Sequence, residues 1–250
     1  MNNNKKKERW IQHYSSSHKI LLIGEGDFSF SACLAKAFRN AANMVATCLH
    51  TKGGLLVVME MLPVRHWTST AHLQDLEKLG CLVLYEVDVH NMNEHPDLKQ
   101  MKFDVILFNF PHAGHYSWLH ERDSILIRMH QDLIAAYFKT AKEMVQEEGE
   151  IHVTVRDDYP YNTWEVEKLA ECAGLQLKDK VEFRQENYPG YHNKRGGNIN
   201  CNKKFPLKAC YTYKFTLKVS AVEISDGSEV NDSASSELTS IITTVEDLQI

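Results

Sequence analysis

Lys19-Ile20-Leu21-Leu22-Ile23-Gly24-Glu25-Gly26-Asp27-Phe28-Ser29 is the stretch that decides the fold. Ile20 to Ile23 is a short apolar run, as expected of a strand buried in a parallel sheet. Gly24 to Asp27 reads as a turn and Phe28 to Phe38 as the helix behind it. Glycines let such a turn fold tightly and approach a ligand, and a helix N-terminus favours negative charge. A dinucleotide-binding turn carries glycine where Ser29 stands. Without it, helix and strand pack less closely around a pyrophosphate, which argues against a NAD-type oxidoreductase. The looser turn suits a ligand with no phosphate, such as S-adenosylmethionine (SAM). A purely structural strand–helix turn fits the same residues.

The alternation continues outward from this stretch. Strands are expected at Met44 to Leu49, Cys81 to Val87, Phe103 to Phe108 and Glu150 to Val155. Helices are expected over residues 68–79, Ser124 to Glu147 and Trp164 to Ala173. Two late strands follow, Leu175 to Phe183 and Tyr211 to Val219. This is an α/β pattern, a Rossmann-like doubly wound sheet closed by a late antiparallel hairpin. Residues 1–18 read as a basic flexible arm, 19–220 as the domain and 221–250 as an acidic disordered tail. Residues 52–67 fit no element.

Charge supports that division. The 250 residues carry 28 basic and 33 acidic groups, net −5, which by itself implies no nucleic-acid partner. The tail holds Glu223, Asp226, Glu229, Asp232, Glu237, Glu246 and Asp247 and no Lys or Arg. The rest keeps 28 basic against 26 acidic groups, net +2. Residues 175–220 alone hold ten basic and three acidic residues, net +7. Hydrophobic content of 43% and charged content of 24% are those of an ordinary globular chain. No apolar run is long enough for a membrane span, and the polar start through Lys5, Lys6, Lys7 and Arg9 lacks a secretory apolar region. That cluster reads as a nuclear-import signal, a phosphate contact or a solvated terminus. The six cysteines include no CxxC pair, which implies reduced thiols and a nuclear or cytoplasmic location. The oligomeric state is not legible.

Three further groups carry chemistry. Asp88 ends the third strand, where a carboxylate accepts from an adenine amino group or ribose hydroxyl, or caps the next segment. Asn109-Phe110-Pro111-His112-Ala113-Gly114 leaves the fourth strand. An Asn-x-Pro loop there suits a planar nitrogen nucleophile: Asn109 orients it, and His112 is a general base for a ring N–H. A Pro-rich turn with a surface histidine is the bland alternative. His112, His115 and His120 invite a metal reading, but no cysteine or carboxylate pattern joins them, so no metal is expected. Tyr188, Tyr191, Asn193, Lys194 and Arg195 form a basic, aromatic loop in which charge contacts phosphate and rings stack on unpaired bases. A solvated hairpin edge is the alternative.

Gly24-Glu-Gly-Asp-Phe-Ser-Phe30, Asn109-Phe-Pro-His112-Ala-Gly114, Gly149-Glu-Ile-His-Val-Thr154, Tyr159-Pro-Tyr-Asn162 and Tyr188-Pro-Gly-Tyr-x-Asn-Lys-Arg-Gly196 occur in that order. Together they resemble the 25S rRNA uridine-N3 methyltransferase-like family of plants and fungi, over about residues 17–217. The resemblance implies a class I SAM-dependent methyltransferase fold. It also implies SAM as cofactor, rRNA or a pre-ribosome as partner, and a nucleolar place of work. It assigns SAM to Gly24, Glu25, Gly26, Asp27, Phe28, Ser29, Asp88 and Asn109. One position departs from the family. After the second strand, His50 stands where an acid would bind the ribose hydroxyls. A methyltransferase fold that binds RNA or protein without catalysis is therefore a second expectation.

Overall fold

The computed structural model describes residues 7–51, 66–194 and 204–218, with side chains at all of these but 66–69. The expected acidic tail, the segment 52–65, Lys5, Lys6 and Arg195 lie outside the described residues. A two-stranded hairpin, β1 (Trp10–Ile11) and β2 (Tyr14–Ser15), opens the described chain. It is followed by β3 (Ile20–Ile23), α1 (Ser29–Phe38), β4 (Met44–Thr47), α2 (His66–Lys78) and β5 (Leu82–Leu84). Next come β6 (Phe103–Asn109), α3 (Ser124–Met144), β7 (Val145–Arg156), α4 (Val166–Cys172), β8 (Leu175–Glu182) and β9 (Cys210–Leu217).

The main sheet runs β5-β4-β3-β6-β7-β9-β8. β3, β4, β5, β6 and β7 are parallel, and β9 is antiparallel to both of its neighbours. This is the doubly wound sheet with a reversed late strand that the sequence implied. The apolar run of β3 is buried on both faces because alternate residues serve two cores. Leu21 and Ile23 pack with α3 and α4, while Ile20 and Leu22 pack with α1 and α2. β3 pairs with β4 on one side and β6 on the other, so the winding direction changes at β3. Open α/β sheets bind ligands beyond the strand ends at such a point. Gly24 and Asn109 lie there, since Ile23 is in register with Phe108.

Two expectations are corrected. The arm is not free over its whole length: from Trp10 it is a hairpin, and Tyr14 is 1% exposed against Phe30 and Tyr188. Its sequence lacks an apolar run, so a single buried ring does what a longer strand would. The helix expected to reach Glu147 ends at Met144, and β7 begins at once with Val145. The join works because Gly149 has no side chain: a Cβ there would come within 2.9 Å of the Phe103 carbonyl oxygen. The register of β6 against β7 shifts at the same place.

Candidate active site

At the end of β3, Gly24 holds φ +68°, and a Cβ on it would lie 2.5 Å from the Phe108 ring. Only glycine satisfies both constraints. The two acids of the turn cap α1. Asp27 Oδ1 accepts the Ser29 N–H at 3.0 Å, and Glu25 Oε2 accepts the Ser31 N–H at 3.1 Å and its hydroxyl at 2.5 Å. Burial nevertheless pushes the Glu25 carboxyl up to about 7, against the Ser31 hydrogen bonds. Gly24, Glu25, Gly26, Asp27 and Ser29 line a cavity of about 80 Å³ together with Asn109. Phe28 does not line it: its ring is fully buried in the core, and it serves as the left-handed residue that starts α1.

His50 and Asp88 are not in this lining either. Asp88 Oδ1 accepts the His90 N–H at 2.9 Å and meets its ring Nδ1 at 2.6 Å, so the carboxylate closes its own turn. The residues therefore fit the amino-acid end of SAM, where glycines and buried donors converge. The carboxylates of that cavity are those of Glu25, which accepts from Ser31 on Oε2, and Asp27, which accepts from Ser29 on Oδ1 and pairs with Lys194 on Oδ2. The cavity is also below the about 300 Å³ of a usual ligand pocket. Tyr191, His192 and Lys194 occupy its outer side.

A second cavity of about 210 Å³ adjoins the first and shares Phe110, Lys194 and Phe205 with it. Its other walls include His112, Glu121, Arg156, Tyr161 and Trp164. Asn109, at the tip of β6, accepts the Thr154 hydroxyl on Oδ1 at 2.7 Å, while its Nδ2 is buried without a hydrogen-bond partner. Trp164 Nε1 is likewise buried without one. Arg156 is bound to Asp158 and lies 4.4 Å over the Tyr161 ring. Two unspent N–H donors in buried positions cost stability unless a ligand accepts from them.

His112 sits in a cluster that sequence spacing did not give. Glu121 Oε1 is 3.0 Å from His112 Nε2, and Glu121 Oε2 is 3.6 Å from Nε2 of His130, which α3 contributes. Among the described residues these three form a group with metal-ligand spacing. His120 is not part of it, so the absence of a carboxylate near His112 was a misreading. The donor pattern is nonetheless that of hydrogen bonding. His112 Nδ1 accepts the Gly114 N–H at 3.1 Å, and His130 Nδ1 accepts the Ala113 N–H at 3.0 Å. Each neutral ring then carries its hydrogen on Nε2, facing Glu121. A metal-bound histidine has the reverse arrangement, a lone pair on the metal and a donated N–H behind it.

The expected RNA loop is partly corrected. Tyr188 is 3% exposed and stacked on Phe183, so its ring belongs to the core. Asn193 is buried and donates to the Phe205 carbonyl. Tyr191 is half-buried against Phe30, and Lys194 pairs with Asp27 at 2.8 Å. These rings alternate with basic residues because they fill a core beneath the loop. Exposed aromatics lie elsewhere: Trp118 is 74% exposed, and Tyr159 is 53% exposed with Arg122 over its ring.

A sheet of this order, with adjoining cavities beyond β3 and β6, defines a methyltransferase-type α/β domain of the class I kind. Residues 21–195 match the family model described as rRNA (uridine-N3-)-methyltransferase BTM5-like, and the chain belongs to that family. It is 42% identical over 210 residues to an uncharacterized protein of Arabidopsis thaliana, covering 84% of this chain and 97% of that one. It is 25% identical to the 25S rRNA (uridine(2634)-N(3))-methyltransferase of Saccharomyces cerevisiae, over 74% of this chain and 68% of the yeast protein. A methyltransferase of Pyrococcus furiosus aligns with TM-score 0.48 and 12% identity, over 81% of this chain and 76% of that one. By family the chain is of the methyltransferase kind. No helix among the described residues is long and apolar enough to cross a membrane.

Proposed function

We propose that the protein methylates a uridine at N3 in large-subunit rRNA, with SAM as methyl donor. The observation that carries this reading is the pair of adjoining cavities, one lined by the Gly24 turn and by Asn109, whose Nδ2 is unspent, and one in which Trp164, whose Nε1 is unspent, lies beside His112. Uracil offers two carbonyl oxygens flanking N3–H. Donors on adjoining walls, Asn109 Nδ2 in the first cavity and Trp164 Nε1 in the second, suit that edge better than a base with an exocyclic amino group. The walls of Phe110, Tyr161, Trp164 and Phe205 provide apolar faces for a flipped ring.

Gly24, Gly26 and Asp27 would hold the amino-acid end of SAM, which supplies an electrophilic methyl group to N3. Asn109 orients the base. His112 takes the N3 proton on Nδ1, the lone-pair nitrogen, once the Gly114 N–H lets go of it. Holding base and donor side by side supplies much of the rate. On this reading the protein works where large-subunit rRNA is made or matured, in the nucleolus or the cytoplasm.

Mass spectrometry of rRNA nucleosides from cells with and without the protein tests this. N3-methyluridine should fall in cells lacking it and return with the wild-type chain but not with His112→Ala. An unchanged level overturns the assignment. A second reading, a binding module without catalysis, is favoured by His50, which stands where an acid would bind the ribose hydroxyls. Calorimetry separates the two: SAM binding that appears only in His50→Asp supports the module.

A further inference from the structure

Glu121 belongs to no motif, yet it joins three separate segments. Its Oε1 meets His112 of the loop after β6, its Oε2 faces His130 of α3, and it sits in the stretch between them. Both oxygens therefore look at ring N–H groups. The two rings accept backbone N–H groups on Nδ1, which leaves Nε2 as the protonated nitrogen of each neutral ring. We infer that Glu121 is the positioning residue for His112, fixing the tautomer that leaves the lone pair on Nδ1. The inference rests on the proposed reading of His112 as proton acceptor.

The reason for a carboxylate, and not an amide, lies in the two converging donors. An amide side chain would accept from one ring and turn its own NH₂ against the other. Burial raises the Glu121 carboxyl, but the hydrogen bond from His112 and the nearby His130 ring outweigh it and hold the group below the usual carboxylate range. His112 is further faced by the His115 ring at 4.1 Å and the His130 ring at 4.4 Å, with Arg156 and Lys194 on the same cavity wall. Of these neighbours, Glu121 carries the negative charge. It therefore stabilises the imidazolium that forms when His112 takes the N3 proton, as the carboxylate of a hydrolase triad does. His130 is fully buried, with its Nε2 3.6 Å from the far oxygen of Glu121.

The test uses the full chain with ¹⁵N-labelled histidine. In the wild type at mildly alkaline pH, the His112 ring should be protonated on Nε2; a ring protonated on Nδ1 overturns the inference whatever any variant does. Glu121→Gln should populate the other His112 tautomer and move the acid limb of the kcat profile to lower pH. Its kcat should fall by about 100-fold, the low end of what acid–base catalysis contributes. SAM affinity should stay within about twofold of wild type, since Glu121 does not line the cavity against the Gly24 turn, and KM for RNA should change far less than kcat. A Glu121→Gln protein with the wild-type nitrogen spectrum and pH limb overturns the inference alone. A His112→Ala protein that keeps full turnover overturns the proton-acceptor reading, and with it the catalytic part of this one.

Discussion

Gly24 shows how one residue ties fold to site. Its φ of +68° is open to other residues only at about 1–2 kcal/mol, and the Phe108 ring leaves no room for a Cβ. Gly24→Ala should therefore lose about 1–3 kcal/mol of stability in urea unfolding, and SAM binding should drop beyond calorimetric detection. Stability lost with affinity intact would mean that the turn does not touch the cofactor. Gly24 and Asn109 were legible in sequence because both follow apolar strands directly, and strand ends are where this fold class binds ligands. Glu121, His130 and Trp164 were not. Each arrives from a different element, and nothing in local spacing tells that α3 brings His130 to the loop after β6. His50 and Asp88 lie past the ends of β4 and β5, outside the lining of the first cavity, and Asp88 gives Oδ1 to His90.

At the scale of elements, sequence read the strands and helices well where apolar periodicity set them, and poorly where one contact did. β3, β6 and α1 are continuous apolar signals. The β1–β2 hairpin rests on Tyr14, and the α3–β7 junction rests on Gly149. Interleaved rings and basic residues in the 188–194 loop resembled a stacking surface. Burial is a tertiary property, so the same pattern fits a core under Phe183 and Phe30. The segment between β6 and α3 instead carries the exposed indole of Trp118, beside Tyr116 at 5.4 Å, and flanks the larger cavity through His115 and Glu121. If RNA lies there, a base stacked on Trp118 is worth about 1–3 kcal/mol. Trp118→Ala should then weaken single-stranded RNA binding by about 5- to 150-fold in fluorescence anisotropy, with SAM affinity unchanged. Tyr188→Phe should leave RNA affinity as it is. The reverse ranking would restore the 188–194 loop as the RNA surface.

Across the whole molecule, buried titratable groups set an acid limit on folding. Burial pushes His13 down to about 3 and holds His130 and His152 below their ordinary value. His13 and His152 lie where the β1–β2 hairpin meets the sheet, with His152 on Glu150 at 2.7 Å, and His130 lies at the candidate site. As pH falls below about 6.5, the unfolded chain takes up protons that these folded rings refuse, so stability is lost down to each ring's folded value. Each such proton is worth about 1.4 kcal/mol per pH unit. Glu25, pushed up to about 7 by burial, acts the other way: its contribution is present below about 4.5 and disappears as pH rises to about 7. Three rings oppose one carboxyl, so the net slope should be a loss of stability on acidification from pH about 6.5 to 4.5. Below that, Glu121 and Glu150, both held low by histidine partners, add to the loss as they protonate. Urea midpoints measured across this range should therefore fall with pH, and Glu25→Gln should make the fall steeper by removing the opposing carboxyl. A midpoint that rises on acidification would mean that Glu25 outweighs the rings, and that the histidines are wetter than their burial implies.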